Sequence, residues 1–245
     1  MRVALQPAFI LHRRPYRDTS LLLEAFSRDY GRFGLVARGV RRPRSRLKGM
    51  LQPFTPLLLS WSGKGELMTL VAAEESEPPR VLPSARLLSG FYVNELLLRL
   101  LQRHDPHAGL FGAYERVLED LASTVNEESA LRVFEKQLLA ELGYGLLLDA
   151  EARTNRPIEP QSAYRYVLEQ GPVAADQSPV GIEISGKGLL ALRFEIFDDT
   201  DVLREAKRLT RAAIGVHLQG RPLKTRELLI AVHRRREYSG SIGLP

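Results

Sequence analysis

The 245-residue sequence predicts an α+β protein, a small closed β-barrel followed by a bundle of helices that carries a small irregular insertion. Three observations support this. Up to Pro78 and Pro79, short β-prone runs alternate with Gly, Pro and Asp at roughly ten-residue spacing, the rhythm of a small all-β unit. Beyond them, apolar residues recur at three and four positions, the period of amphipathic helices. Charge divides at the same place: residues 1–80 hold 14 Lys and Arg against 7 Asp and Glu, whereas residues 81–245 hold 21 against 22. A basic front third joined to a neutral remainder is the footprint of a nucleic-acid-binding module attached to a domain with another task.

The strand-like runs are residues 3–11, 21–26 and 31–40, then the two halves of 54–74. Turns fall at Asp29-Tyr30-Gly31 and Ser62-Gly63-Lys64-Gly65, where glycine supplies the positive φ that tight hairpins need. About five short strands in some 75 residues is the count of an OB-like barrel. Glu77, Pro78 and Pro79 then end the sheet, because proline cannot donate to a ladder. Ser84 is the expected cap of a helix to about Arg103, with Leu87, Leu88, Phe91, Tyr92, Leu96 and Leu100 at helical spacing. Further helices are expected over 109–123 and from Glu127 until Gly143 stops the chain. From Asp149 to Ser178 the texture is polar and irregular, with a single strand at 164–169. Ser185 is expected to cap a short helix through Leu192, and another helix spans Asp199 to Leu218. A last segment, Pro222 to His233, is expected to dock back on the bundle.

The stretch 38–54, RGVRRPRSRLKGMLQPF, places Arg38, Arg41, Arg42, Arg44, Arg46 and Lys48 together with no acidic residue. Gly39, Pro43 and Gly49 break helix and strand register, so these cations are expected on a loop leaving the run 33–37. A charge run is often only a solvated tail. Here it is pinned between two apolar β-like segments, which points to a polyanion-binding loop within a folded domain. A second basic stripe, Arg204, Lys207, Arg208 and Arg211, falls at i, i+3, i+4 and i+7 of a helix. It reads equally as a solvated face or a second nucleic-acid contact, with Arg221, Lys224, Arg226 and Arg234 to Arg236 adding positive charge. Tyr16, Phe26, Tyr30, Phe33 and Trp61 are the barrel aromatics able to stack on bases where exposed, although core positions are the expectation for most.

Catalytic constellations are weak. GIEISGKG at 181–188 matches a phosphate-binding loop except that Gly188 stands where a hydroxyl must reach magnesium, so a turn opening a helix is the better reading. His104 and His107 around Asp105-Pro106 lack a third ligand. The acidic clusters Glu74, Glu75, Glu77 and Asp198, Asp199, Asp201 would be the seat of a metal-dependent nuclease on an OB scaffold, the alternative function. The second cluster, however, sits where a helix dipole favours carboxylates anyway. Cysteine is absent, which removes disulfides, thiolate zinc sites and cysteine nucleophiles. No apolar run reaches the roughly 18 residues of a membrane span, and the start of the chain lacks a signal-peptide layout, so a cytoplasmic, nucleoid-associated location without membrane contact is expected.

In order along the chain, FILHRRPYRDTSLLLEAFSRDYGR, LVARGVRRPRSRLKGMLQPFTPLLL, YVNELLLRLL, LRVFEKQLLAELGYG and LKTRELL resemble the successive landmarks of the recombination mediator RecO family. The resemblance implies an N-terminal OB-fold at 1–79 and a helical domain at 80–245. Within the latter it implies a zinc-finger-like subdomain at about 149–182, here without cysteine ligands and therefore without zinc or any other cofactor. It further implies a non-enzymatic DNA repair and recombination mediator that binds single- and double-stranded DNA and anneals complementary strands. With RecR, such a mediator loads RecA onto strands coated by single-stranded-DNA-binding protein. That partner's acidic, Phe-ending tail would need an apolar slot and a cation. Phe111, Leu118 and Leu139 beside Arg116 and Arg132 are the candidates, Arg132 first, with ordinary pairing of Arg132 to Glu128 or Glu135 as the alternative.

Overall fold

The computed structural model describes residues 2–228 and 231. The described residues form two compact units, one from residues 2–111 with 221–228 and 231, the other from residues 112–220. Arg234 to Arg236 and His233 lie outside the described residues.

In the first unit β1 (Arg2–Tyr16), β2 (Ser20–Ser27), β3 (Gly31–Ala37), β4 (Leu57–Ser62) and β5 (Leu67–Glu75) close into a barrel in the order β1-β2-β3-β5-β4. Only β3 and β5 pair in parallel; this is the OB arrangement that the strand count predicts. Alternation along the strands places Ile10, Leu23, Ala25, Phe33, Leu35, Leu59 and Trp61 in one fully buried cluster. On another face Phe111 packs its ring against Phe9 and Phe26, with centroids 5.6 and 5.5 Å apart.

α2 (Leu87–Leu100) is shorter than the sequence suggests at both ends. Its N-cap is Arg86, which makes no side-chain capping bond, so Ser84 does not cap it. At its C-terminus the chain turns extended at Leu101, because the Leu101 carbonyl accepts from the Arg32 guanidinium and Arg103 pairs with Glu24. Buried Asn94 donates to the Leu11 carbonyl at 2.9 Å, giving an amide inside an apolar contact the hydrogen bond it needs. The helical residues 224–228 meet α2 through Glu95, whose carboxylate accepts from the Lys224 and Thr225 amides and the Thr225 hydroxyl.

α3 (Ala108–Ala122) runs from the first unit into the second. There α4 (Glu127–Glu141) is capped by Asn126, whose Oδ1 accepts from the Ser129 amide at 3.1 Å, and Gly143 follows at φ +83°. Between residues 149 and 185 the structure corrects the sequence reading of one strand in an irregular insertion. β6 (Ala163–Val167) is the centre of a three-stranded antiparallel sheet with β7 (Gly171–Ala174) and β8 (Ile182–Ser185). The outer strands have four residues each, too few to show a period. Their stability comes from burial: Tyr164, Tyr166 and Ile184 pack with Leu148, Leu189, Leu192, Ala206 and Leu209 of the surrounding helices and loop. α5 (Gly186–Phe194) is capped by Ser185, as expected, and α6 (Thr200–His217) by Asp199.

Gly31 ends the β2–β3 turn at φ +64°, and a methyl group there would overlap the backbone of Asp105. Gly31→Ala is therefore expected to destabilise by about 2 kcal/mol or more, combining left-handed strain with a clash. Thermal denaturation should show a loss of about 4 °C or more. Gly39→Ala, with φ +70° but its nearest neighbours only the Arg42 side chain from 3.7 Å outward, should lose less than half as much.

Candidate nucleic-acid interface

The basic segment is a loop with two apolar anchors. Val40 and Leu51 are fully buried in the barrel cluster, and Leu47 and Met50 of the one-turn helix α1 (Leu47–Met50) pack partly against it. Between the anchors the backbone folds on itself, Arg42 N to Gly39 O at 3.1 Å and Ser45 N to Arg42 O at 3.1 Å. With its apolar residues facing inward, the loop must present its cations outward. Arg38, Arg41, Arg42, Arg44, Arg46 and Lys48 are all exposed, and none forms an ion pair with a carboxylate of the described residues. Arg41 differs from the rest in that its Nη1 donates to the Arg17 carbonyl at 3.2 Å and its amide to the Thr19 carbonyl at 2.8 Å. These bonds tie the loop to the β1–β2 hairpin tip and bring in three exposed cations that the sequence reading left out, Arg13, Arg14 and Arg17. The RRPYR run before the turn was their signal. Repulsion among so many unpaired like charges favours a bound polyanion.

Most barrel aromatics are unavailable to a ligand. Phe26, Phe33 and Trp61 are at most 1% exposed. Phe33 and Tyr30 pack on Trp61, with centroids 4.5 and 5.2 Å away. Tyr16 alone sits half-buried beside the basic residues, with the Arg17 guanidinium 5.3 Å from its ring centroid.

The α6 stripe is largely engaged within its own unit. Lys207 pairs with Glu128 at 2.6 Å, Arg208 donates to the Glu183 carbonyl at 3.0 Å, and Arg204 pairs with Asp201. Burial pushes the Glu128 carboxyl up, but the Lys207 hydrogen bond and the charges of Arg132, Lys207 and Arg211 outweigh it and leave the pKa lowered. The stability that this carboxylate contributes is present above its unfolded pKa and is lost as pH falls through the lower folded value.

Among the tail-binding candidates, Phe111 belongs to the Phe9–Phe26 cluster of the first unit, Leu118 and Leu139 are fully buried, and Arg116 is exposed. Arg132 is 1% exposed rather than a surface group. Its Nη2 donates to Glu135 Oε1 at 2.7 Å, and Glu135 also accepts from the Thr210 hydroxyl. Nη1 lies 3.9 Å from Glu128 Oε2, while Nε and Nη1 have no hydrogen-bond partner. Arg132→Glu would bury a second carboxylate against Glu135. It should cost about 3–5 kcal/mol, read as a large fall in Tm, whereas Arg132→Lys should keep most of the stability.

At 181–188 a carboxylate takes the place that a phosphate would need: Glu205 Oε2 accepts from the Ser185 amide at 3.0 Å and hydroxyl at 2.6 Å, at the start of α5. His107 Nε2 lies 3.2 Å from Asp105 Oδ2. In the acidic clusters Glu77 pairs with Arg80, and Asp199 caps α6. Among the described residues no group of three or more His, Asp or Glu is placed to hold a metal ion. The sheet at 163–185 rests on an apolar cluster, so a strong chelator should leave Tm unchanged. A structural zinc would show a large loss, because its binding energy is folding energy.

An OB barrel with a clear run of unpaired cations, joined to a helical unit with a small sheet, defines a two-part α+β protein with a basic barrel face. Residues 1–78 match the family model described as Recombination protein O N terminal, and residues 84–227 match Recombination protein O C terminal. The chain is 50% identical over 235 residues to DNA repair protein RecO of Nitrosococcus oceani, covering 96% of each chain. It is 49% identical to DNA repair protein RecO of Methylococcus capsulatus, covering 93% of each. To that of Coxiella burnetii it is 47% identical over 93% of this chain and 98% of the relative. The chain belongs to the RecO family. Among the described residues no helix is long and apolar enough to cross a membrane.

Proposed function

We propose that this protein acts in DNA repair and recombination as a mediator that binds single- and double-stranded DNA and anneals complementary strands. With RecR, it helps load RecA onto DNA coated by single-stranded-DNA-binding protein. The supporting observation is the loop 38–48, whose cations are exposed and paired with no carboxylate of the described residues. The division of labour assigns DNA to the barrel, residues 1–79, and protein partners to residues 80–245. The α6 cations are a secondary contact at most in this reading, since Lys207, Arg204 and Arg208 already have partners. The mediator performs no bond chemistry, and labelled strands incubated with it and magnesium should stay intact.

Phosphate contacts release counterions, so binding should weaken with salt. Replacing Arg42, Arg44 and Arg46 by Ala should weaken binding to all sequences and flatten the log–log salt slope by roughly 0.7–0.9 per lost contact. Arg41 is kept in that variant because it also braces the hairpin. Anisotropy titrations at several salt concentrations read the slope, and an unchanged slope removes the loop from the interface.

For the acidic tail, Arg116 is the exposed cation of the two candidates, since Arg132 is 1% exposed and paired with Glu135. Arg116→Ala removes that cation and leaves the buried Arg132–Glu135 pair in place. It should weaken binding of a tail peptide about tenfold with DNA affinity intact. Wild-type peptide affinity in that variant would move the site away from Arg116.

A further inference from the structure

We infer that the β1–β2 hairpin tip and the basic loop form one surface for unpaired nucleotides, in which Tyr16 stacks on a base while Arg14, Arg17 and the loop cations hold the flanking phosphates. This rests on the DNA-binding reading above and adds to it the group that distinguishes single strands from duplex.

Two cationic segments are held together by named bonds between residues 22 to 38 positions apart in sequence. The Arg41 amide and Nη1 donate to the carbonyls of Thr19 and Arg17, and Arg13 Nη1 donates to the Leu51 carbonyl at 3.4 Å. Arg17 adopts φ +50°, a left-handed conformation that is uncommon for residues other than glycine, and its carbonyl is held by Arg41. In that conformation its guanidinium lies 5.3 Å from the Tyr16 ring centroid, within cation–π range. The half-buried ring thus lies beside Arg17 on a hairpin tip that also carries the exposed Arg13 and Arg14 and is bonded to the exposed Arg41. The other candidate aromatics are either buried or, for Tyr30, packed edge-on against Trp61. A base offers a π-face to such a ring only when it is unpaired and unstacked, and stacking of this kind is sequence-tolerant. Duplex DNA can still use the cations through its phosphates.

The test compares Tyr16→Leu and Tyr16→Phe with wild type on an oligo-dT strand and on a blunt duplex at one salt concentration. Tyr16→Leu should bind the single strand about tenfold more weakly and the duplex less than twofold more weakly, while Tyr16→Phe should match wild type on both. Fluorescence of a 2-aminopurine in the strand should be quenched by wild type and Tyr16→Phe but not by Tyr16→Leu. The stacking measurement stays informative if Tyr16→Leu also lowers Tm. Equal loss on both substrates, no loss on either, or equal loss in Phe and Leu overturns this inference and leaves the DNA-binding reading standing. A wild-type protein that binds neither substrate overturns both.

Discussion

Closure of the barrel around Trp61 and Phe33 is the constraint on which the basic face depends. Parallel pairing of β3 with β5 brings the end of β3 to a fixed place, and the loop leaves from there. Val40 and Leu51 are both fully buried in the same cluster, so the intervening residues are held at both ends. Burying a Val or Leu side chain contributes about 1.5–3 kcal/mol, and these two anchors oppose the mutual repulsion of the cations between them. A free tail of this composition would have spread out to separate its charges. Here the core holds them in one patch.

The second unit handles charge in the opposite way. Arg132, Glu135 and Thr210 form a buried cluster between α4 and α6, with Glu128 and Lys207 at its edge. Such a network gains little over apolar packing, yet removing one partner is severe because the remaining charge has no solvent to turn to. It therefore specifies how α4 and α6 meet. Three cations of the α6 stripe are engaged within the same unit, Lys207 by Glu128, Arg204 by Asp201 and Arg208 by the Glu183 carbonyl. In the barrel loop, by contrast, none of the named cations pairs with a carboxylate of the described residues.

The small sheet at 163–185 depends on context. β7 and β8 have four residues each, and isolated strands of that length do not persist in water. They persist because Tyr164, Tyr166 and Ile184 on one face are covered by Leu189, Leu192, Ala206 and Leu209. Apolar packing thus supports this subdomain in a chain that has no cysteine.

Much of this was legible in the sequence. Alternating runs with Gly-bearing turns at 29–31 and 62–65 specified five strands, because a period of two and a positive φ are local properties. The cap at Ser185 was readable for the same reason, since its capping bond spans only three residues. The family landmarks and the clustering of cations at 38–48 also needed no coordinates. What the tertiary structure decided were the long-range contacts. α2 ends early because Arg32 and Glu24, some 70 to 80 residues away, take Leu101 and Arg103. Arg132 is buried because α6 covers it, and Phe111 serves the Phe9–Phe26 cluster rather than an open slot. The joining of Arg17 to Arg41 likewise depends on the barrel bringing the Arg41 guanidinium within 3.2 Å of the Arg17 carbonyl. Periodicity specifies which face of an element is apolar, but which partner covers that face, and which charges remain outside, is settled only when distant segments compete for the same surface.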